Sequence, residues 1–520
     1  MKKVKKIVAL VLATVLSVTT LTACGGEKSG VKEGMEGRTE IKVAYWLSGL
    51  GEQWLKDVIA AFEESQEKYF VTYTTSPSSG SMMSAFGMAD MDQVDIYMGI
   101  KNEAIEFMEP LDDILEATAE GDSKPLKDKF NQNYLEYEEA ADGKHYTLTY
   151  GGGMTNLYYN KELFKKAGVK QLPRTTEELT ILCDTFSSQD IAPLCHFKNG
   201  GYYDFMLRLY MAQYDGMDYY LNNWFTCTDE AGKSPSKDVL TKKDGRYYAL
   251  KAMERFITPN YALTGSTTQS HTEIQTQFLQ GSAAMMLNGS WIENEMKING
   301  DESSLGAMKV PVLSSIVNTL ETIKTETALR AVITAVDQVT EGEKTEADFA
   351  SGDGYVVEGN TVSASDWNRI KDARNMIQSN YAESSCFIPN YSAEKEGAKK
   401  FLQFMYSDKG YKIVAAATKC PMPLTLSTGE AIDTSEMSET QAMQFDLCNM
   451  DTLFVDSGSS KEHKIFLTGG ASLMASIKYV DKFSAGNVDD RMTADEVWDL
   501  MVKTVDENYE NNWLLNIGAK

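Results

Sequence analysis

Residues 41–74 read IKVAYWLSGLGEQWLKDVIAAFEESQEKYFVTYT, and this stretch decides the fold class. Residues 41–45 and 69–74 are short runs rich in β-branched and aromatic side chains, which predicts two strands. Between them, apolar residues recur at helical spacing over 52–64, and a third short apolar segment follows at 94–98. Strands that alternate with helices of about a dozen residues form βαβ units. The sequence therefore predicts an α/β protein with a mostly parallel sheet.

A second series of elements begins after three consecutive glycines at 151–153, which interrupt any helix or strand and let the backbone bend. A helix over 160–166 follows, and one threonine of the pair at 175–176 is expected to cap the next helix. Thr493, three residues before Glu496, forms a capping box. Further helices are predicted over 204–214, 247–257, 273–279, 366–379 and 493–508, and a polar surface insertion is predicted over 341–361.

The first residues follow the order of a secretory signal: four lysines among the first six residues, an apolar run over 7–16, and small residues before Cys24. The apolar run is shorter than the roughly 20 apolar residues that a transmembrane helix needs. We therefore expect residues 1–23 to be a signal peptide and residues 24–37 to form a flexible tether.

Residues 21–24, Leu-Thr-Ala-Cys, resemble the lipobox of bacterial lipoproteins. The resemblance implies that Cys24 receives a diacylglycerol and becomes the new amino terminus. Two acyl chains suffice for stable anchoring, so the expected location is the extracellular face of the cell membrane. The other interpretation is a cleaved signal followed by an incidental cysteine.

The composition disfavours several classes of protein. A net charge of −25 argues against nucleic acid and anionic ligands as partners. A length of 520 residues exceeds one compact core and favours two or more domains. The six cysteines after Cys24 are widely spaced without a CxxC pair, so we expect mostly buried free thiols with at most one disulfide. No HExxH, GxSxG or Walker A segment occurs, and Cys195-His196 lacks zinc spacing. No catalytic residue, metal or cofactor is therefore predicted.

Four passages, spread over most of the chain, look like one family. They are NLYYNKELFKKAG at 156–168, FLQGSAAMMLNGSW at 278–291, EGAKKFLQF at 396–404 and TADEV at 493–497. Their order and spacing are similar to those of extracellular solute-binding protein family 1, the sugar receptors of ATP-driven importers, which resemble maltose-binding protein. The resemblance implies a lipoprotein that binds a sugar or oligosaccharide and delivers it to the permease of an ABC transporter. It also implies a monomer that is not an enzyme.

The resemblance further implies a two-lobed, periplasmic-binding-protein-like fold of type II. Two or three chain crossings join the lobes, and the ligand cleft lies between them. Carried over, the first lobe comprises residues 38–150 plus 311–425, and the second comprises 151–310 plus 426–520. The segment 314–386 is longer than the equivalent segment of the family, and its role is open.

The expected site is built around Trp291, which matches the family tryptophan whose ring stacks on a sugar. Asn288 is a polar neighbour, because sugars present apolar C–H faces and hydroxyl edges. Trp46, after the first strand, occupies a loop that faces the cleft in this fold, with Glu52 nearby as an acceptor for a hydroxyl. For both tryptophans the other interpretation is an ordinary core residue.

Four further residues are candidates for ligand contact. Tyr150 precedes the glycine run at the expected crossing, and Tyr202 and Tyr203 follow a glycine-containing loop. Asp95 resembles the family's aspartate at a strand start, although such a residue more often orients local backbone. The chain departs from maltodextrin binders at 99–101 and at Gly153, where those proteins carry a tryptophan and charged groups, so maltodextrin itself is not the expected ligand.

Two other functions stay open at this stage. An extracellular glycosidase needs a pair of carboxylates about 5–9 Å apart, and 75 acidic residues make such pairs uninformative in the sequence. A peptide-binding member of the same fold is also compatible with the sequence. A binding assay with sugars and peptides, with analysis of the recovered ligand, distinguishes the three.

Replacement of Cys24→Ala should abolish the incorporation of a labelled fatty acid, because the substitution removes the thiol that takes the diacylglycerol. Metabolic labelling in the producing bacterium measures this, with Cys183→Ala as a cysteine control that keeps its label. Equal labelling of the Cys24 variant and the parent would show that the anchor is elsewhere.

Overall fold

Two larger β-sheets, each covered by helices, form two lobes in the computed structural model, and a third sheet of three short strands lies in an insertion. The structure describes residues 34–47, 49–76, 78–87, 94–100, 105–140, 142–151, 154–196, 202–224, 227–229, 231, 234–296, 304–379, 384–449, 454–456, 477–510 and 514. The signal segment, Cys24 and the start of the tether lie outside these residues. Among the helices described, none has the length and apolar character required to span a membrane.

The first lobe is built on a sheet with the strand order β2-β1-β3-β13-β4. Strand β1 runs parallel to β2 and β3, whereas β13 is antiparallel to β3 and β4. The strands predicted at 41–45, 69–74 and 94–98 are confirmed. The bounds are β1 Thr39–Trp46, β2 Tyr69–Ser76, β3 Ile96–Met98, β4 Leu148–Thr149 and β13 Ser385–Phe387.

Helices from both ends of the chain cover this sheet. Helix α1 buries Leu55, Ile59 and Phe62, the side chains that recur at helical spacing in the sequence. Phe62 packs against Phe401 of a distant helix, with ring centroids 5.3 Å apart. The bounds are α1 Gln53–Ser65, α2 Ser79–Gly87, α3 Asp112–Glu116, α4 Gln132–Glu138, α15 Lys395–Met405 and α16 Asp408–Thr418.

The second lobe is built on a sheet with the order β14-β12-β5-β7-β6, and β8 also pairs with β5. Strand β5 is antiparallel to β7, β8 and β12, so this sheet is mixed and not mostly parallel as predicted. The bounds are β5 Met154–Asn160, β6 Leu194–Cys195, β7 Met285–Gly289, β8 Leu305–Met308, β12 Ile377–Ser379 and β14 Phe454–Asp456.

The helices of the second lobe begin where the sequence predicts caps. The side chain of Thr175 accepts the Glu178 N–H at 3.3 Å, and Thr493 and Glu496 form the expected capping box. The bounds are α5 Lys161–Lys166, α6 Thr176–Ser187, α7 Tyr203–Asp215, α8 Met217–Tyr219, α9 Asp238–Thr241, α10 Gly245–Phe256, α11 His271–Leu279, α12 Ile292–Met296, α18 Tyr479–Phe483 and α19 Ala494–Asn508.

The long insertion packs on the second lobe. Its elements share their own apolar core, and the guanidinium of Arg174, near the start of α6, donates to Thr334 at 2.7 Å. The amide nitrogen of Gln213 in α7 donates to the Ala373 carbonyl at 3.0 Å. The bounds are α13 Glu326–Thr340, β9 Ala350–Ser351, β10 Gly354–Val357, β11 Asn360–Ser363 and α14 Ala364–Asn375.

The predicted lobe boundary at 311 is therefore wrong. The chain stays in the second lobe through β12, because residues 378–379 pair with 154–155 of β5. The helix predicted over 366–379 correspondingly ends at Asn375, and a strand follows it. The return to the first lobe falls between β12 and Ser384, whose carbonyl accepts the Tyr150 N–H at 2.9 Å.

The last crossing also differs from the prediction that residues 426–520 belong to the second lobe. Leu426 lies in the core of the first lobe. Helix α17, Glu439–Asn449, contacts both lobes: Phe445 packs in the first core, while the amide of Gln444 donates to the Tyr158 hydroxyl of the second at 3.1 Å. Helix α19 packs in the second lobe, as expected.

The six cysteines after Cys24 are free and buried. The expectation of buried thiols is therefore confirmed, and none of the six forms the single disulfide that the sequence left open. Burial raises the pKa of Cys227 and of Cys386 to about 12. These thiols are consequently protonated and unreactive near neutral pH.

Two buried carboxyl groups face each other at the end of α7. Oδ1 of Asp215 accepts the Gly245 N–H at 3.0 Å, while its Oδ2 is buried without a partner among the described residues. Burial, and then the charge of Asp244, raise the pKa of Asp215. The folded state therefore binds this proton more tightly than the unfolded state does. The free energy of unfolding consequently falls as the pH rises from about 4 toward neutrality.

The substitution Asp215→Asn keeps an acceptor for the Gly245 amide and removes the charge. We expect its melting temperature near neutral pH to exceed that of the parent by roughly 2 °C or more, with a weaker dependence on pH. Thermal unfolding followed by circular dichroism across this range measures both. Asp499→Asn, on an exposed position of α19, is the control and should change neither. A less stable Asp215 variant near neutral pH would instead indicate an ionised, paired carboxylate.

Candidate functional site

The carboxyl ends of β1 and β3 meet at one edge of the first lobe. The strands are parallel, with Tyr45 beside Met98, so Trp46 and Gly99 come at the same level. Gly99 has φ +91°, and a Cβ there would lie 2.9 Å from the Cβ of Trp46 and 3.1 Å from the hydroxyl of Tyr150. The structure thus brings two predicted residues, Trp46 and Tyr150, together beside a glycine.

Tyr150 is buried in the first-lobe core. Its ring stacks on Trp54 with centroids 5.0 Å apart. Its hydroxyl has no hydrogen-bond partner among the described residues, and burial raises its pKa well above the ordinary value. An uncharged, unpaired hydroxyl beside the half-buried Trp46 ring is a suitable partner for a polar ligand atom.

On the second lobe, Trp291 and Tyr202 form an aromatic pair. Trp291 follows β7 directly and is half-buried. Its ring covers Gly289 so closely that a Cβ there would lie 2.2 Å from the ring. The Tyr202 ring meets it edge to face, with centroids 5.5 Å apart. The predicted site residues Trp291 and Tyr202 are therefore adjacent. Gly289 is required because any side chain at that position would overlap the Trp291 ring.

A polar network extends from this aromatic pair. The hydroxyl of Tyr202 and Nε2 of His271 are 3.2 Å apart, and the amide nitrogen of Gln275 lies 3.2 Å from the same Nε2. The Gln275 amide also donates to Oε2 of Glu295 at 2.9 Å. Burial lowers the pKa of His271 and raises that of Glu295. His271 is accordingly neutral at physiological pH.

The two lobes approach each other at this network. A Cβ on Gly49, in the loop after β1, would lie 2.9 Å from Oε1 of Glu295 and 3.1 Å from the Cβ of Trp291. The amide of Asn294 donates to the Thr418 carbonyl of the first lobe. The Trp291 network therefore faces the loop that follows Trp46 in the other lobe, as a cleft between lobes requires.

Four predicted residues lie elsewhere. Asn288 is buried in β7, where its Oδ1 accepts the Gly289 N–H at 2.7 Å. Glu52 is half-buried just before α1, where it is paired with Lys56 at 2.6 Å and accepts the Tyr73 hydroxyl at 3.1 Å. Tyr203 is a core residue, with its hydroxyl 2.5 Å from Nδ1 of His196.

Asp95 lies at the opposite end of β3 from the cleft. Its carboxylate accepts the Lys42 N–H at 2.9 Å and the Ser392 hydroxyl at 2.6 Å. These contacts fit the alternative that the sequence already favoured, in which this aspartate orients local backbone.

The sequence analysis missed Gly49, His271, Gln275 and Glu295. Two of these could have been found, because Glu295 is four residues after Trp291 and Gln275 is four after His271. Residues four apart lie on one face of a helix. Gly49 contacts this group from the other lobe, so no pattern among neighbouring residues in the sequence indicates the contact.

Metal-dependent chemistry has no candidate ligand set in the part of the chain that the structure describes. No group of three or more His, Cys, Asp or Glu side chains there could hold an ion. The other carboxylate near Trp291, that of Glu293, is buried and accepts the Ser438 hydroxyl at 2.8 Å.

The fold and the facing residues define a two-lobed binding protein. The family model described as bacterial extracellular solute-binding protein matches residues 48–412. The chain belongs to this family. Provisionally named binding proteins of Brucella abortus strain 2308 and Brucella suis biovar 1 are 26% identical to it over 205 residues. That match covers 38% of this chain and 47% of theirs, so the chain matches about half the length of these relatives.

Solved structures of low sequence identity share the fold. The solute receptor AcbH, which is described as exclusively preferring β-D-galactopyranose, has a TM-score of 0.58 at 11% identity, covering 91% of this chain and all of that one. The mannobiose complex of BlMnBP1 from Bifidobacterium animalis subsp. lactis has a TM-score of 0.57 at 17% identity, covering 94% and 99%. Maltose-bound MalE3 of T. maritima has a TM-score of 0.55 at 16% identity, covering 90% and 99%.

The substitution Gly49→Val should hold the lobes further apart, because its side chain would overlap Glu295 and Trp291. Overpacking of this kind costs about 1–3 kcal/mol. This cost destabilises the arrangement in which the two lobes are in contact at Gly49. Small-angle scattering of the unliganded protein should show a larger radius of gyration. Gly486→Val is the control, since a Cβ there meets nothing within 4 Å. Identical scattering of the Gly49 variant and the parent would show that this contact does not set the lobe spacing.

Proposed function

We propose that this protein is a cell-surface receptor that binds a sugar or oligosaccharide between its lobes and delivers it to an ABC importer. The observation that carries the proposal is the pairing of Trp291 and Tyr202 with the His271–Gln275–Glu295 network. An aromatic plate suits the C–H face of a sugar ring, and the polar groups beside it suit hydroxyls.

The first lobe supplies the opposite wall of the proposed site. Trp46 and the Tyr150 hydroxyl lie at the carboxyl end of its parallel strands, where ligands generally bind in α/β proteins. A ligand that contacts both walls stabilises the closed arrangement and shifts the population toward it. The segment after Tyr150 serves as one hinge, since closure concentrates in a few residues at the ends of elements.

Proposed membrane attachment is through a lipid on Cys24, followed by the flexible tether. This places the receptor on the extracellular face of the membrane, next to the permease that takes over the ligand. A monomer suffices for this role, because each chain contributes both walls of the cleft.

The proposed receptor does not alter its ligand. Glu295 lies against Gly49 of the opposite lobe, and the carboxylate of the nearby Glu293 accepts the Ser438 hydroxyl. A glycosidase requires two carboxylates that flank the scissile bond. Similarity to solved receptors for galactopyranose and mannobiose supports the carbohydrate class.

A thermal-shift panel of mono- and oligosaccharides and peptides tests the proposal. At a hundredfold excess over its dissociation constant, a true ligand adds about 2.7 kcal/mol to the free energy of unfolding. It should therefore raise the melting temperature by a few degrees. Chromatography after prolonged incubation should recover the sugar unaltered. A cleaved sugar would favour the glycosidase, and a peptide hit without a sugar hit would favour the peptide receptor.

The substitution Trp291→Ala should weaken binding of the sugar by about 1–3 kcal/mol, because it removes the stacking surface. Isothermal titration measures the affinity, and circular dichroism checks the fold. Phe107→Ala removes an aromatic ring that is exposed on the first lobe and should leave binding unchanged. An unchanged affinity of the Trp291 variant would remove this residue from the site.

A further inference from the structure

The carboxylate of Glu295 occupies an unusual position in the cleft. Its side chain is exposed to solvent, yet the surrounding protein desolvates it enough to raise its pKa. Oε2 accepts the Gln275 amide, while Oε1 lies against Gly49 of the other lobe, close to the Cβ of Trp291. A ligand that enters between the lobes at Trp291 would therefore contact Oε1.

The neighbours of Glu295 supply no positive charge. Among the described residues, burial raises the pKa of Glu295 and the hydrogen bond from the neutral Gln275 amide opposes that rise, while no lysine or arginine contributes. His271, the nearest titratable group of the network, is held neutral by its lowered pKa. A partly desolvated carboxylate without a cationic partner is costly, and a cation brought by a ligand removes that cost.

Two further features favour a cation at this position. Oε1 of Glu295 and the Cβ of Trp291 both border Gly49, and the Tyr202 ring packs on the Trp291 ring, so an aromatic pair lies in the same part of the cleft. Aromatic faces attract a desolvated ammonium group. The net charge of −25 also raises the local concentration of cations and disfavours anions. A neutral hydroxyl would gain from neither feature.

We infer that the ligand presents a protonated amine to Glu295, so that the preferred class is an amino sugar and not a neutral sugar. This inference rests on the proposed function and adds a charge preference to it. The carboxylate and the two rings provide the ammonium site, and the remaining polar groups bind hydroxyls.

A matched series of β-1,4-linked disaccharides tests the inference by isothermal titration. Cellobiose, di-N-acetylchitobiose and deacetylated chitobiose carry a hydroxyl, an acetamide and an ammonium at the same ring position, and the parallel series is glucose, N-acetylglucosamine and glucosamine. The amino form should bind about tenfold more tightly than its counterparts.

The variant Glu295→Gln keeps the shape of the side chain and removes its charge. It should weaken binding of the amino form about tenfold more than it weakens binding of the neutral counterpart, so that the preference is lost. Glu64→Gln, at an exposed position of α1, changes the net charge equally and should keep the preference.

Amino sugars that bind no more tightly than their counterparts would overturn the inference, and so would equal losses for both classes in Glu295→Gln. Binding of neutral sugars in either case would leave the proposed function intact. A protein that binds no sugar of any class would refute both.

Discussion

The second lobe depends on the pairing of strand β5 with neighbours from distant parts of the chain. Residues 155–159 pair with β7, residues 157–160 pair with β8, and residues 154–155 pair with β12. Two of these neighbours position other parts of the lobe. Trp291 follows shortly after β7, and β12 follows the long insertion. Because the backbone of β5 bonds to strands on both sides, its position fixes the aromatic pair relative to the lobe core.

The same strand also relates the second lobe to the first. It starts four residues after Tyr150, whose ring is locked against Trp54 and whose backbone bonds to Ser384 at the second crossing. Helix α17 forms part of the third connection. Its Phe445 packs in the first-lobe core, and its Gln444 donates a hydrogen bond to Tyr158 of the second lobe. These three connections join the two lobes, and Gly49 of the first lobe contacts Trp291 of the second.

The surroundings of the Glu295 carboxylate differ from those of carboxylates that are paired with a cation at the surface. Glu52 is paired with Lys56, and Glu177 is paired with Arg255 at 2.5 Å. Such surface pairs contribute little stability. Glu295 instead accepts from the neutral amide of Gln275 and lies with Trp291 against the other lobe. We infer on this basis that its carboxylate is available to a ligand.

The sequence by itself determined the features that depend on neighbours within a few residues. Helical spacing and capping residues such as Thr175 and Thr493 identified the elements, and the position of Trp291 after a strand followed from a short motif. Tertiary structure alone decided the lobe of residues 311–379, because the pairing of β12 with β5 joins residues more than 200 apart. It also gave Tyr202 and Tyr203 different surroundings. Helix α7 begins at Tyr203 and directs that ring into the core, whereas the Tyr202 ring packs on Trp291. The contact of Glu295 with Gly49 likewise exists only after two lobes have folded and met.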